Sequence, residues 1–180
     1  LEETARAVEA AGGRALPLAA DVRSEDEVRA AVAKALAEFG RIDILVSNAA
    51  AFFGAPFHEM PLARWDLVLD VNLRGAAGCA QAVIPSMIER GGGRIVNVSS
   101  SVAVDLYPGM SPYAASKAGL ETLTRYMAAE LAPHGMAANV LRIDSWDTMP
   151  RVLHDVPLNW KEGIWHRMKF QVQLADKSGG

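Results

Sequence analysis

Apolar runs of strand length alternate with segments of helical periodicity along most of the chain. The runs occupy residues 14–21, Ile42–Ser47, Arg94–Ser100 and Met136–Ile143 and contain many β-branched and other aliphatic side chains. Continuous apolar strands that are separated by helices are typical of a parallel sheet covered on both faces. The sequence therefore predicts an α/β fold with a doubly wound parallel sheet.

Start and stop signals mark the segments between these runs. Ser24 and Glu27 form a capping-box pattern, and Gly40 follows where the apolar periodicity ends. Helices are also predicted for residues 1–11 and 62–90 and for the long segment after the third apolar run. In a sheet of this kind, ligands bind beyond the carboxyl ends of the strands. The residues at those ends are therefore the first candidates for a site.

Composition and charge exclude several classes of partner and site. The formal net charge is −3 with both signs scattered along the chain, so no basic patch indicates nucleic acid or an anionic membrane. Cys79 is the only cysteine, which excludes an intrachain disulfide and favours a reducing, cytoplasmic compartment. No apolar run is expected to reach the roughly 20 residues that a bilayer span needs. The histidines lack metal-ligand spacing, so no metal site is predicted.

Tyr113 and Lys117 lie four residues apart and therefore on one face of the predicted helix. A tyrosine hydroxyl has a pKa of about 10, so a nearby cation is needed to favour its phenolate near neutral pH. Lys117 is a candidate for that cation. Ser100 ends the preceding apolar run, where its hydroxyl can bind a substrate oxygen. The same spacing of Tyr and Lys also occurs by chance on amphipathic helices, so the spacing alone leaves packing and chemistry both open.

Four motifs between Asp21 and Asn139 carry a more specific signal: SNAA, VNLRG, GRIVNVSS and YAASKAG, in this order. In their order and spacing they resemble the short-chain dehydrogenase/reductase family, over about two thirds of the chain. The resemblance implies a Rossmann-like domain and an NAD(P)-dependent oxidoreductase. Such an enzyme transfers a hydride between nicotinamide and a carbonyl or secondary alcohol.

The resemblance also implies roles for four catalytic residues. Tyr113 matches the general acid or base that exchanges a proton with the substrate oxygen. Lys117 matches the lysine that lowers the tyrosine pKa and binds the nicotinamide ribose. Ser100 matches the residue that orients the substrate oxygen, and Asn72 matches the asparagine that holds a water in the proton relay. An epimerase or dehydratase that uses the same Tyr and Lys stays an alternative.

Cofactor contacts and partners are implied in the same way. The cofactor is expected to be NAD or NADP, and the partner a small carbonyl or alcohol substrate, in a homo-oligomer paired through the helices that carry Gly75 and Tyr113. The substrate, the choice between NAD and NADP, and the direction of the reaction do not follow from the sequence. The residues that match cofactor contacts of the family are Asp21, Val22, Asn48, Ala49, Ala50, Tyr113, Lys117 and Thr148.

Two departures from the family pattern set limits on this interpretation. The chain opens on a helix instead of the strand, glycine-rich turn and helix with which a dinucleotide-binding fold begins. We therefore expect a piece of a longer protein, or a defective copy, with a gap in the sheet between the runs that end at Asp21 and Ser47. Gly91–Gly93 fits a turn better than a phosphate-binding loop. Ile143 and Asp144 stand where the family usually has Pro-Gly, which puts the Thr148 contact in doubt.

The expected organisation is a partial domain over residues 1–150 and a divergent tail or substrate-loop region over residues 151–180. The fold is expected to be incomplete at the N-terminus and at the C-terminus. Two functional hypotheses follow. The first is an NAD(P)-dependent oxidoreductase, and the second is a catalytically silent fragment or pseudoenzyme that acts only through oligomerisation.

Overall fold

The computed structural model describes residues 1–143, 151–152 and 171–173. The helices are α1 (Glu2–Ala10), α2 (Glu25–Phe39), α3 (Leu62–Leu69), α4 (Gly75–Glu89) and α5 (Ser111–Leu131). The strands are β1 (Ile44–Ser47), β2 (Gly93–Ser100), β3 (Met136–Ile143), β4 (Arg151–Val152) and β5 (Gln171–Gln173). Three short 3₁₀ segments, Phe57–Glu59, Ser101–Ala103 and Ala132–His134, and one π-helical segment, Asp70–Arg74, complete the described elements.

The strands form one sheet in the order β4-β3-β2-β1-β5. Its centre is parallel: Leu45 of β1 pairs with Ile95 of β2, and Ile95 pairs with Ala138 of β3. The two short strands β4 and β5 lie antiparallel at the edges. The predicted α/β fold with a Rossmann-like parallel sheet is confirmed, and β2 and β3 match their predicted ranges to within one residue.

The main core lies on the face of the sheet that packs against α2, α4 and α5. Leu45, Ile95 and Ala138 point to this face, where they meet Val83 of α4 and Met127 of α5. Burial of such aliphatic side chains contributes about 1.5 to 3 kcal/mol each. The opposite face carries a smaller cluster of buried side chains, namely Val46, Val96, Val98 and Leu141.

The first predicted strand, over residues 14–21, is wrong. The segment has no strand assignment and leads directly into the N-cap of α2. A strand exists only where a neighbouring backbone accepts and donates its hydrogen bonds, and β1 is paired with β2 and β5 instead. The apolar pattern of the segment was therefore necessary for a strand but not sufficient.

The predicted helix signals are confirmed at α2. Ser24 accepts a hydrogen bond from the backbone N–H of Glu27, and Gly40 ends the helix with a positive φ of 76°. Glu27 reaches back to the backbone N–H of Asp21 at 2.8 Å, which fixes the turn before the helix. The predicted turn at the triple glycine is also confirmed, because Gly91 has a φ of 78° and β2 begins two residues later.

The predicted helix over residues 62–90 is confirmed, with one interruption. The π-helical segment Asp70–Arg74 widens the helix between α3 and α4, a feature that often accompanies functional sites. By length and mean hydropathy of 1.2, the 28 residues Leu62–Glu89 could cross a membrane, contrary to the sequence expectation. However, the buried side chains of α4 lie in the main core, as in the core helix of a globular domain. The predicted domain boundary at residue 150 falls outside the described residues.

Candidate active site

The four predicted catalytic residues come together where β2 ends and α5 begins. Ser100 is the last residue of β2, and Tyr113 and Lys117 lie in the first two turns of α5. Asn72 reaches the same helix from the π-helical segment, because its Nδ2 donates a 3.0 Å hydrogen bond to Ser116 Oγ. The predicted catalytic residues therefore lie at the carboxyl end of a parallel strand, where the topology predicts a site.

Lys117 is buried and points back to the strand. It is 3% exposed, and its Nζ donates a hydrogen bond of 2.7 Å to the Val98 carbonyl oxygen. Burial disfavours the charged ammonium and lowers the pKa of Lys117 to about 8. A lysine with a pKa near 8 gains and loses its proton close to physiological pH, which suits a proton-transfer site better than a structural salt bridge.

Tyr113 is half-buried and makes contacts on both sides of its ring. Phe52 packs edge-on against it with ring centroids 5.5 Å apart, and Lys117 Nζ lies 5.6 Å from its ring centroid. Burial raises the pKa of Tyr113 above its ordinary value, and a hydrogen bond from Ser100 acts in the opposite direction. The expected lowering of this pKa is therefore not observed, because burial outweighs the effect of Ser100.

Asn72 connects three segments through one side chain. Its Oδ1 accepts a hydrogen bond from the backbone N–H of Ala51, and its Nδ2 donates to the Ala51 carbonyl at 2.9 Å and to Ser116. Ser116 in turn donates to the Tyr113 carbonyl oxygen at 2.7 Å. Asn72 is only 1% exposed, so all of its polar atoms are satisfied inside the protein. The side chain therefore fixes the loop after β1 relative to the Tyr113 helix.

A crevice beside β1 brings together three of the predicted cofactor contacts. Val22, Asn48 and Ala49 line it together with Ser47 and Cys79. The Ser47 hydroxyl is buried and has no hydrogen-bond partner among the described residues, and an unsatisfied buried polar group is free to bind a ligand atom. The crevice itself has a volume of only about 10 Å³, which is room for one water molecule, so these residues form at most part of a dinucleotide site.

The remaining predicted cofactor contacts are placed differently. The Asp21 carboxylate accepts hydrogen bonds from the backbone and side chain of Arg23 at 3.0 Å. Ala50 is exposed next to Ala49 at the end of β1. Thr148 lies outside the described residues. The structure therefore places Val22, Asn48 and Ala49 at the crevice. Asp21 directly precedes Val22 in the sequence, and Ala50 directly follows Ala49.

Gly75 allows the segment with Val22 to approach α4. A Cβ atom at Gly75 would lie 2.8 Å from Val22 Cγ2 and 3.2 Å from the Asp70 carbonyl oxygen. We expect Gly75→Ala to lower the free energy of unfolding by about 1 to 3 kcal/mol, because overpacking displaces Val22 from the crevice. Gly78→Ala is the matched control. At Gly78 nothing lies within 4 Å of the added Cβ, so the change should stabilise α4 by about 0.5 to 1 kcal/mol.

Chemical denaturation of both variants tests this prediction. The measured quantity is the difference in unfolding free energy between each variant and the unmodified protein. Equal stabilisation by the two alanines would contradict the close approach of Val22 to Gly75.

Cys79 lines the crevice but is not suited to nucleophilic chemistry. Its side chain belongs to the main core, and burial raises the pKa of the thiol to about 12. The thiol therefore stays protonated at neutral pH, and only the thiolate is a nucleophile. Cys79 is therefore a structural residue of the main core.

Sequence reasoning missed a second polar group behind the catalytic residues. Glu121 of α5 accepts a hydrogen bond from Ser99 at 2.8 Å and two from Arg142 of β3, at 2.9 and 2.6 Å. Ser116, which accepts from Asn72, was also missed. One signal was available, since Glu121 lies one helical turn after Lys117 and thus on the buried face of α5.

The Glu121 carboxylate should make the fold sensitive to acid. Burial acts to raise the pKa of Glu121, but the hydrogen bonds from Arg142 and Ser99 outweigh it and lower the pKa below 4.5. The ionised form is thus favoured in the folded state. Its contribution to stability is complete above about pH 4.5 and is lost as the pH falls through the lower folded pKa.

We therefore expect the stability difference between the unmodified protein and Glu121→Gln to be largest above about pH 5 and to shrink in more acidic solution. Thermal unfolding from pH 3 to pH 7 measures it. Glu38→Gln is the control, because the Arg14–Glu38 pair is exposed and such pairs contribute about 0 to 1 kcal/mol. A difference between wild type and Glu121→Gln that does not change with pH would contradict the prediction.

Comparisons with known proteins agree with this site and fold. Residues 1–149 match the family model described as short chain dehydrogenase. An uncharacterized NAD-dependent oxidoreductase of Mycobacterium tuberculosis is 42% identical over 149 residues, which are 82% of this chain and 54% of that protein. A cis-4-hydroxycyclohexanecarboxylate dehydrogenase of Sinomonas cyclohexanicum is 40% identical over 148 residues, 82% of this chain and 59% of that protein.

Solved structures show the same relationship. A gluconate 5-dehydrogenase from Burkholderia cenocepacia, in complex with NADP and tartrate, superposes with a TM-score of 0.76 at 37% identity and covers 81% of this chain and 57% of that one. The chain thus spans a little over half the length of the proteins it matches. Three observations agree on the family. They are a family match over most of the chain, a relative at 42% identity, and the arrangement of Ser100, Tyr113 and Lys117. The chain belongs to the short-chain dehydrogenase/reductase family.

Proposed function

We propose that the protein with this chain is an NAD(P)-dependent oxidoreductase that interconverts a carbonyl and a secondary alcohol. The observation that carries the proposal is the arrangement of Tyr113, whose pKa the neighbouring Ser100 acts to lower and which has Lys117 Nζ 5.6 Å from its ring centroid. This arrangement lies at the carboxyl end of β2, where ligands bind in such sheets. Family membership and the names of the relatives support it.

Each catalytic side chain then has a defined task. Ser100 donates its hydroxyl proton in a hydrogen bond to the substrate oxygen and so holds it near Tyr113. Tyr113 gives the proton of its hydroxyl to that oxygen during reduction and takes it back during oxidation. Lys117 stabilises the phenolate that results, because its ammonium lies beside the ring. A bound nicotinamide dinucleotide supplies or accepts the hydride.

The residues that line the crevice beside β1 are proposed to form part of the site for that cofactor. Val22, Asn48 and Ala49 would contact it, with the buried Ser47 hydroxyl as a hydrogen-bonding group. Contacts from Asp21, Ala50 and Thr148 stay predictions. NAD and NADP are both proposed as cofactors, since one relative is named for NAD and one similar structure contains NADP.

The surroundings of Tyr113 favour a substrate with an apolar body. Phe52 is 53% exposed beside the Tyr113 ring, and Leu106 and Tyr107 are exposed on the segment between β2 and α5. A hydrogen bond of 3.0 Å from the Ala55 N–H to Gly109 holds the two segments together. We therefore infer an alicyclic or similarly apolar carbonyl or alcohol, and the relative from Sinomonas is named for a substrate of that kind.

A homo-oligomer in the cytoplasm is the proposed assembly. The groove between the π-helical segment, α4 and α5 is mainly apolar and is lined by Leu69, Leu73, Ala77, Gly119 and Leu123, together with the charged residues Asp70 and Arg74. Small residues let a second helix approach closely, so a second copy of the chain is the proposed occupant. Light scattering of Leu123→Glu should then show a smaller assembly than that of the unmodified protein. An unchanged mass would contradict this interface.

The test of the function uses the complete protein that contains this chain. NADH and NADPH binding is measured by fluorescence, and turnover is followed by nicotinamide absorbance with cyclic ketones, oxo acids and ketoses. We expect saturable binding of at least one nucleotide and the highest kcat/KM for a cyclic ketone. Absence of both binding and turnover would overturn the proposal. It would favour the silent pseudoenzyme instead, which no relative named above supports.

A further inference from the structure

Ser99 and Ser100 are neighbours in β2, and their side chains point to opposite faces of the strand. Ser99 faces α5, where it is 2% exposed and donates a hydrogen bond of 2.8 Å to Glu121. Asn97, two residues earlier, faces the same helix and donates to Thr124 Oγ1 at 2.8 Å. Because Ser100 follows Ser99 directly, a contact that fixes Ser99 also restricts the backbone of Ser100, whose side chain acts to lower the pKa of Tyr113.

Arg142 completes this contact from the neighbouring strand. It is the register partner of Ser99 across β2 and β3, so both side chains lie on the face beneath α5. Its guanidinium binds both carboxylate oxygens of Glu121, and the two side chains are only 17% and 16% exposed. Replacing a buried ion pair by apolar residues is often neutral for stability. Stability alone therefore does not explain why this pair is buried here.

The contacts of α5 with β2 follow successive turns of the helix. Lys117 bonds to the Val98 carbonyl, Glu121 to Ser99 and Thr124 to Asn97. Apolar contacts are non-directional and let packed elements slide, whereas hydrogen bonds fix both distance and angle. These polar contacts therefore set how far along β2 the helix sits.

Arg142 also determines which way Glu121 points. Lys117 and Glu121 lie four residues apart on α5, a spacing at which a lysine and a glutamate form an ion pair. With its carboxylate held by Arg142 and Ser99, Glu121 instead faces the sheet. Lys117 is thereby left to bond to Val98 and to lie beside Tyr113.

We propose that Ser99, Glu121 and Arg142 form a positioning bridge that holds Ser100 and Tyr113 in the alignment needed for turnover. The bridge touches neither substrate nor cofactor and acts through the end of β2 and through α5. This proposal rests on the proposed function, because turnover is what the alignment serves. Variants that break the bridge should therefore change kcat without a matching change in cofactor affinity or in the stability of the fold.

The test compares variants of the complete protein. Ser99→Ala should lower kcat about 10-fold, because a small misplacement of a reacting group has effects of that size, and should leave the KM for the nucleotide within about twofold. Ser99→Thr keeps the hydroxyl and should restore most of the turnover. In Glu121→Leu/Arg142→Met, the melting temperature should stay near that of the unmodified protein, while kcat falls at least as far as in Ser99→Ala.

The control is a variant that breaks an exposed ion pair far from the bridge in sequence. Arg14→Met breaks the exposed Arg14–Glu38 pair and should leave kcat within about twofold, since such surface pairs contribute little. If Ser99→Ala, or a stably folded double variant, keeps the turnover of the unmodified protein, the bridge is only structural and the proposal is wrong. Ser99→Ala decides the matter if the double variant does not fold.

A second readout separates this proposal from the proposed function. If the unmodified protein turns over no carbonyl, the proposed function fails, but ultraviolet difference titration of Tyr113 still tests the bridge in the free protein. The signal of Tyr113 is identified by repeating each titration on the same variant with Tyr113→Phe added. Lys117, the cation beside the ring, is unchanged in every variant. Ser99→Ala should shift Tyr113 ionisation to higher pH, because a weakened Ser100 bond no longer favours the phenolate. An unchanged titration would overturn the proposal.

Discussion

Tyr113→Phe is expected to lower kcat for carbonyl reduction by about 10²- to 10⁴-fold, the range that a single general acid contributes. The variant loses the hydroxyl proton that the substrate oxygen receives, and Ser100 then holds that oxygen beside a ring without an acid. The ring itself is retained, so its edge-on contact with Phe52 at 5.5 Å persists. The fold and the crevice beside β1 should therefore be unaffected.

Turnover and nucleotide binding of the variant are measured side by side. The expected result is nearly complete loss of turnover, with an NADH or NADPH affinity within about threefold of the unmodified value, since a hydroxyl hydrogen bond contributes only about 1 kcal/mol. Tyr126→Phe is the matched control, because it removes the same hydroxyl from a side chain of α5 that is 65% exposed, and it should retain turnover. A Tyr113→Phe variant with more than a tenth of the original kcat would exclude Tyr113 as the acid.

Lys117→Met is expected to abolish turnover and yet to stabilise the fold at neutral pH. The pKa of Lys117 is about 8 in the folded protein and 10.5 as the ordinary value. Below pH 8 the lysine is charged in both states, so the folded state carries the full penalty of a buried ammonium, about 3 kcal/mol. Loss of the hydrogen bond to Val98 offsets about 1 to 2 kcal/mol of the gain. The net stabilisation should be about 1 to 2 kcal/mol.

The pH dependence identifies the cause of this stabilisation. Between pH 8 and pH 10.5 the unfolded chain binds the lysine proton and the folded protein releases it, so the stability of the unmodified protein rises with pH. The advantage of Lys117→Met should therefore shrink over that interval. Urea unfolding at pH 7 and at pH 9.5, without added nucleotide, measures it. An advantage that is constant with pH, or a variant that is less stable at pH 7, would contradict the burial of a charged lysine.

Features that depend on residues close together in the sequence could be predicted without the structure. The alternation of apolar runs and helices predicted the parallel sheet, and the Ser24 and Gly40 signals predicted the bounds of α2. These features depend on side-chain periodicity and backbone geometry within a few residues, which are local properties of the chain. The motif around Tyr113 and Lys117 is local in the same sense, because i and i+4 positions share one helical face.

Tertiary structure alone decided three other features. Residues 14–21 have the composition of a strand but form none, since strand formation depends on a neighbouring strand elsewhere in the chain. The pKa of Tyr113 is raised, although a lysine four residues away suggested the opposite, because burial of the phenol is the dominant effect. The contact between Glu121 and Arg142 joins residues 21 positions apart.

The sequence by itself determined the fold class, the bounds of the main helices and the family to which this chain belongs. It did so because periodicity, capping and motif spacing depend on neighbouring residues. The structure decided how the side chains of the predicted catalytic residues are aligned and how their pKa values are shifted. Desolvation and hydrogen-bond direction depend on which distant segments meet, and the bridge from Ser99 through Glu121 to Arg142 arises only when β2, β3 and α5 pack together.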